Sequence, residues 1–167
     1  MLATASLACQ RGEVGEADSL AVRSPGDAAR EFAIAVDRQR PALKAKDWKT
    51  DTPDGNVALT GYSSGDTLRL VRETQLQGER GRAASRYYYD GAQLRYFESN
   101  ADVESGAPPR LRKERLVLAF DKRGIAVEIS HQLDGATAPV DSARIAGVVA
   151  RAAEVARQWA TSPAAGH

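Results

Sequence analysis

The sequence predicts an α+β domain: a six-stranded antiparallel meander with an N-terminal and a C-terminal helix packed on one face. Two observations carry this. Short β-prone runs follow one another between 56 and 133, each bounded by Gly, Asp, Asn, Ser or Pro. Stretches with apolar residues at helical spacing flank them on both sides. The centre of the sheet is Arg82-Ala-Ala-Ser-Arg-Tyr-Tyr-Tyr-Asp-Gly-Ala-Gln-Leu-Arg-Tyr-Phe-Glu98. Asp90-Gly91 suits the two-residue loop of a hairpin, because Gly and Asp tolerate positive φ. Counting outward places Arg86 opposite Arg95. Side-chain alternation then groups Tyr87, Tyr89, Leu94 and Tyr96 on a core face, and Arg86, Tyr88, Arg95 and Phe97 on the other.

The first helix opens at Ser24-Pro-Gly-Asp27, with Ser24 as cap, Pro25 in the first turn and Asp27 reaching back. Its expected stripe is Ala28, Phe32, Ala35, Val36 and Gln39, and Pro41 ends or kinks it. Residues 41–48 read as another turn or two, with Trp48 as a lid over the sheet's edge. After the turn Asp51-Thr-Pro-Asp-Gly55, strands are expected at about 56–62, 67–76, 83–89, 92–98, 111–120 and 125–133. Residues 99–110, with Pro108-Pro109, read as a mobile excursion, and Gln77-Gly-Glu-Arg-Gly81 as a polar loop. Ser63-Ser-Gly-Asp66 puts Leu59 opposite Leu70. Asp121-Lys-Arg-Gly124 puts Leu116 opposite Ile129 and Glu114 opposite His131. Asp134-Gly135 ends the sheet. Asp141 or Ser142 caps the last helix, whose expected buried stripe is Ile145, Val148, Val149, Ala152, Ala156 and Trp159. Ser162-Pro163 stops it.

Composition narrows the function classes. The 167 residues make one domain's worth of chain, enough for a hydrophobic core without disulfides or metals. Lys and Arg number 23 against 22 Asp and Glu, a net charge of +1, without the basic excess of a nucleic-acid binder. One cysteine, Cys9, excludes an internal disulfide framework and a cysteine-rich zinc site. His131 and His167 are the only histidines, so catalysis by a Ser-His-Asp triad would have to use His131. No Gly-rich phosphate loop or metal motif is present, and no cofactor is expected.

Two constellations could carry function. Glu114 beside His131 could poise an imidazole as a base, but no nucleophile lies near in sequence, and a cross-strand ion pair at the sheet's end explains them better. Arg69, Arg86, Arg95 and Arg115 with Tyr88 and Phe97 form a cationic, aromatic-edged set on the sheet face away from the helices. Facing arginines are unfavourable unless something negative lies between them, which suits a protein partner or an acidic polymer. The alternative is a solvated face on which Glu73, Glu98 or Glu128 neutralises the arginines. A third possibility is a small-ligand carrier with a pocket between helices and sheet, lined by Tyr62, Tyr87 or Trp48.

The N-terminal run Met1-Leu-Ala-Thr-Ala-Ser-Leu-Ala-Cys9 is small and apolar and stops at the cysteine. It resembles the end of a bacterial lipoprotein signal peptide, with Leu7 two residues before the cysteine and Ser6 at the third. The Tyr-Tyr-Tyr-Asp-Gly-Ala-Gln-Leu hairpin is similar to those of uncharacterised periplasmic lipoprotein domains. The resemblance implies export, lipid attachment at Cys9 and, since Gln10 is not aspartate, sorting to the outer membrane. The other reading of the run is a chain terminus with an exposed thiol. On the first reading residues 1–23 are signal-peptide remnant, attachment site and flexible spacer, 24–162 the domain, and 163–167 a disordered tail. The expected function is then a non-catalytic envelope binding domain of inhibitor or immunity type. It contacts the membrane only through its lipid and takes no nucleic acid.

Overall fold

Ser24 caps the first helix as its sequence dictates. Its Oγ accepts from the Asp27 N–H at 3.1 Å, satisfying one donor left free at a helix start, and donates to the Asp27 carboxylate at 2.7 Å. The computed structural model describes residues 24–52, 55–76 and 81–162. Among these the order is α1 (Pro25–Gln39), a 3-10 turn (Arg40–Ala42), β1 (Lys44–Thr52), β2 (Gly55–Ser64), β3 (Thr67–Leu76), β4 (Arg82–Asp90), β5 (Gln93–Ser105), β6 (Arg110–Phe120), β7 (Ala126–Leu133), β8 (Ala136–Thr137) and α2 (Ser142–Thr161). The strands form one antiparallel sheet in sequence order. The expected meander is there, with eight strands among the described residues instead of six.

The added strands are β1 and β8. Residues 41–48 read in the sequence as further helical turns, but from Lys44 the chain pairs with β2 as the sheet's edge, with Lys46 and Trp48 on one face and Asp47 and Lys49 on the other. Lysines on such an edge discourage pairing with other chains. Residues 99–110 are not an excursion: β5 and β6 pair without a break down to Ser105 and Arg110. The expected N-terminal spacer and attachment site at Cys9, the loop 77–80, the turn at 53–54 and the tail 163–167 lie outside the described residues.

The helices cover opposite faces of the sheet, not one. Tyr88 Oη donates to Asp37 Oδ2 of α1 at 2.9 Å, whereas Tyr89 Oη donates to the Ala152 carbonyl of α2 at 2.9 Å. Consecutive strand residues point to opposite faces, so the two tyrosines reach helices on opposite sides. One core joins Ala29, Ala33 and Val36 of α1 to Leu70, Tyr88, Tyr96, Val117 and Ala119. The other joins Ala152 and Val155 of α2 to Leu59, Val71, Tyr87, Tyr89, Phe97 and Leu118. Unbroken apolar runs such as Tyr-Tyr-Tyr and Leu-Val-Leu-Ala-Phe120 are what burial on both faces requires. The buried side of α1 is therefore Ala29 and Ala33 rather than Ala28 and Ala35, small residues that let the helix approach the sheet. In α2, Val155 is fully buried while Val149 is exposed.

Three one-residue bulges set the faces. Arg69 in β3, Arg95 in β5 and Val127 in β7 are each left out of the pairing just after a hairpin. Each flips the alternation beyond it. Leu94 faces α2 and Tyr96 faces α1 for this reason. The central hairpin turns at Gly91-Ala92, with Asp90 paired to Gln93 and only Gly91 at positive φ, as a type II′ turn requires. The two-residue Asp-Gly loop occurs instead at Asp134-Gly135, where both residues have positive φ. Likewise Leu70 faces Tyr62, not Leu59.

Beyond the core contacts, polar side chains fix α2. Asp141 caps it, accepting from the Arg144 N–H at 2.7 Å. At its other end Lys46 Nζ donates to the Trp159 carbonyl at 2.6 Å and to that of Ser162. Trp48 packs as expected, with Nε1 donating to Gln158 Oε1 at 3.4 Å. Trp159 lies on Gly61, where a Cβ would meet its Cδ1 at 2.5 Å. Glycine is needed there for the ring to touch the backbone. Among the described residues no helix is long and apolar enough to cross a membrane.

Candidate functional site

Register decides which of the expected binding residues meet. Arg86 faces Glu98 on β5 and ion-pairs with it at 2.9 Å, with Asp37 at 3.9 Å. Arg95 does not face it. Arg95 is the bulge residue and is buried, 6% exposed, with Nε and Nη1 lacking any hydrogen-bond partner in the structure. Tyr88 and Phe97 are buried on opposite faces, beneath α1 and α2 respectively. The proposed set therefore does not form one exposed surface. Arg69 stacks on the Phe32 ring of α1 at 5.1 Å and lies 3.8 Å from Asp90.

A facing arginine pair nevertheless exists: Arg86 pairs across β3–β4 with Arg72. Arg115 is exposed on the same side of the sheet, since it follows Asn100, Ala84 and Thr74 in one cross-strand row. This is the α1 side, at the strand ends that α1 leaves bare. Cross-strand neighbours add Lys49, Arg82 and Lys113, none of which stood out in the sequence. Reading alternate positions outward from Tyr88 on every strand is the signal that would have found them. Three of the acids on this side are engaged, while Glu104, at the far end of β5, is exposed and has no ion pair among the described residues. Asp47 accepts from the Thr60 hydroxyl at 2.6 Å, Glu98 pairs with Arg86, and Asp102 pairs with Lys113. The Lys113 side chain, with the Arg82 backbone N–H, holds the Asp102 carboxyl below its usual range. Among the described residues Lys49, Arg72, Arg82 and Arg115 have no ion-pair partner.

Three adjoining depressions of about 370, 200 and 340 Å³ lie on this side. Arg82 lines all three, the middle one shares Thr74 with the first and Ala84 and Asn100 with the third, and together they form one trough crossing the strands from β2 to β7. Its floor is shallow-sided because Ala58, Thr74 and Ala84 are small. The residues expected to line a carrier's pocket are packing contacts instead. Tyr87 is buried in the α2-side core, and Trp48 and Tyr62 pack against the two cores.

Glu114 and His131 do meet, though not as direct cross-strand partners. Leu116 faces His131 and Glu114 faces Leu133, a slip of two residues that leaves both on the α2 side. His131 Nε2 lies 2.8 Å from Glu114 Oε1, and its Nδ1 lies 2.9 Å from the Pro139 carbonyl. That carbonyl can only accept, so Nδ1 carries a proton. Arg144 of α2 donates to the other Glu114 oxygen. Both His131 and Glu114 are buried, 7% and 6% exposed, so the pair has neither solvent access nor a nucleophile among its partners. One turn-pair further along α2, Arg151 donates to Glu73 at 2.7 Å, and Glu73 also accepts from Tyr87 Oη at 2.7 Å. Burial, and then the Glu73 charge, push the Tyr87 phenol up, so it stays a donor. Arg144 and Arg151 stand seven residues apart on the same helix side, and these two clusters bolt α2 to the sheet. Among the described residues no group of three or more His, Cys, Asp or Glu could hold a metal.

Comparison with protein-family models, with curated proteins and with solved structures gives no match.

Proposed function

We propose that this chain is a non-catalytic binding domain that takes an acidic protein partner on the bare half of the α1 side of its sheet. The observation that carries the reading is the cross-strand pair Arg72–Arg86, in which Glu98 answers only one of the two charges. Like charges directly opposite on a sheet are unfavourable, and a partner's carboxylate relieves them. Arginine also binds carboxylates through a planar fork that lysine lacks. In the double variant Arg72→Ser with Arg115→Ser the expected result is an unchanged or slightly raised melting temperature. Capture of an acidic protein from the producing cell's envelope fraction should be lost with the same variant. Unaltered capture would overturn the reading.

The cellular address rests on the small apolar run ending at Cys9, which supports an outer-membrane lipoprotein facing the periplasm. Mass spectrometry of the mature protein made in its own cell is expected to find an N-terminal diacylglyceryl-cysteine at Cys9. A mature chain keeping residues before Cys9 would remove the lipid anchor from the proposal.

A further inference from the structure

Resting on that binding reading, we infer that the partner presents an extended acidic segment, which lies along the trough across the strands. The shape of the trough is the first argument. Its floor is the cross-strand row Ala58, Thr74, Ala84 and Asn100, continued by Arg115 and Gln132. Strands lie about 4.8 Å apart, so the row from β2 to β7 spans roughly 24 Å. That length accommodates about seven residues of extended chain at about 3.4 Å each. A folded, convex surface would touch only the raised arginines on either side.

Charge is the second argument. Four cations on this face, Lys49, Arg72, Arg82 and Arg115, have no ion pair among the described residues, and the acids nearest them, Asp47, Glu98 and Asp102, are already engaged. Arg72 and Arg115 stand three strands and two residues of register apart, roughly 16 Å, which matches carboxylates about five extended residues apart. Asn100 and Gln132 each offer a donor and an acceptor to the peptide backbone of such a segment.

Chemistry separates this ligand from other polyanions. Among the described residues lining the three depressions none is aromatic. Single-stranded nucleic acid is held largely by stacking bases on aromatic rings, each worth about 1 to 3 kcal/mol, and this trough has no such platform. Carboxylates need only the arginine forks.

The test uses the full chain and fluorescence anisotropy with two labelled probes: a ten-residue poly-glutamate peptide and a ten-nucleotide uridine oligomer. Poly-glutamate is expected to bind, to weaken as salt rises, and to bind at least tenfold more weakly to the Arg72→Ser, Arg115→Ser variant. Amide NMR shifts should centre on Thr74, Ala84, Asn100 and Gln132. The uridine oligomer should bind more weakly than the peptide. Tighter binding of the oligomer, or peptide shifts located elsewhere, would overturn the inference. If poly-glutamate fails to bind while the envelope partner is still lost on substitution, the extended segment falls and the binding surface stands. If the substitutions change neither, both fall.

Discussion

Glu114→Ala is expected to lower the unfolding free energy by about 3 to 5 kcal/mol, the cost of removing one partner from a buried charged cluster. Glu114 accepts from His131 and from Arg144 and is itself buried. Removing it leaves His131 Nε2 enclosed without a partner, and a buried polar group without a partner carries its whole desolvation cost. Arg144, more exposed, turns to water, so the loss concentrates on the imidazole. Because Arg144 begins α2 and Pro139 precedes it, the helix start should loosen before the rest of the domain. Urea unfolding gives the total, and amide exchange at Arg144 and Ile145 gives the place. Glu114→Gln, which still accepts from Arg144 and can donate to the ring, is expected to cost clearly less. A loss under about 1 kcal/mol for the alanine variant would mean that α2 is held by its apolar side and the Glu73–Arg151 pair alone.

Parity explains why one expected pair survived and another did not. Between β6 and β7 the true pairing differs from simple counting by two residues, and an even slip keeps every side chain on its face. Glu114 and His131 therefore still meet. Between β4 and β5 the bulge at Arg95 makes the slip odd: Arg86 faces Glu98, three residues from where counting puts its partner. Nothing in Gln-Leu-Arg-Tyr distinguishes a bulged strand from a regular one, because the bulge answers to packing from both sides. The meander itself was legible, since glycine marks most of its turns. The opposite placement of the helices was also legible, in Tyr-Tyr-Tyr, but only to a reading that takes consecutive apolar residues as two buried faces. The strand β1 was not: its lysines and aspartates suppress the apolar signal because it is an edge with little to bury. The bare cationic face lies between these cases. Its residues sit at ordinary alternating positions, and only the register of five strand pairs brings them into one row.

Arg95→Met is expected to make the domain more stable, by about 1 to 4 kcal/mol. The bulge in β5 places Arg95 between Leu94 and Tyr96, each buried in a different core, and leaves it only 6% exposed. Its stem is welcome among those neighbours, but its Nε and Nη1 have no partner in the structure. A buried charge without a counter-ion pays desolvation and recovers nothing from Coulomb attraction. Methionine keeps an unbranched apolar stem of similar length and adapts its rotamers to the gap, so the packing survives while the charge goes. Urea unfolding of the variant should show a higher midpoint with an unchanged slope, since the surface exposed on unfolding stays the same. Binding of poly-glutamate should not change, because Arg95 lies beside the turn of its hairpin and the trough lies towards the other end of the strands. That separates it from Arg72 and Arg115, whose substitution weakens binding and spares stability. A lower midpoint for Arg95→Met would show that the guanidinium is satisfied by ordered water. The arginine would then be a fixed part of the bulge that sets the faces of β5.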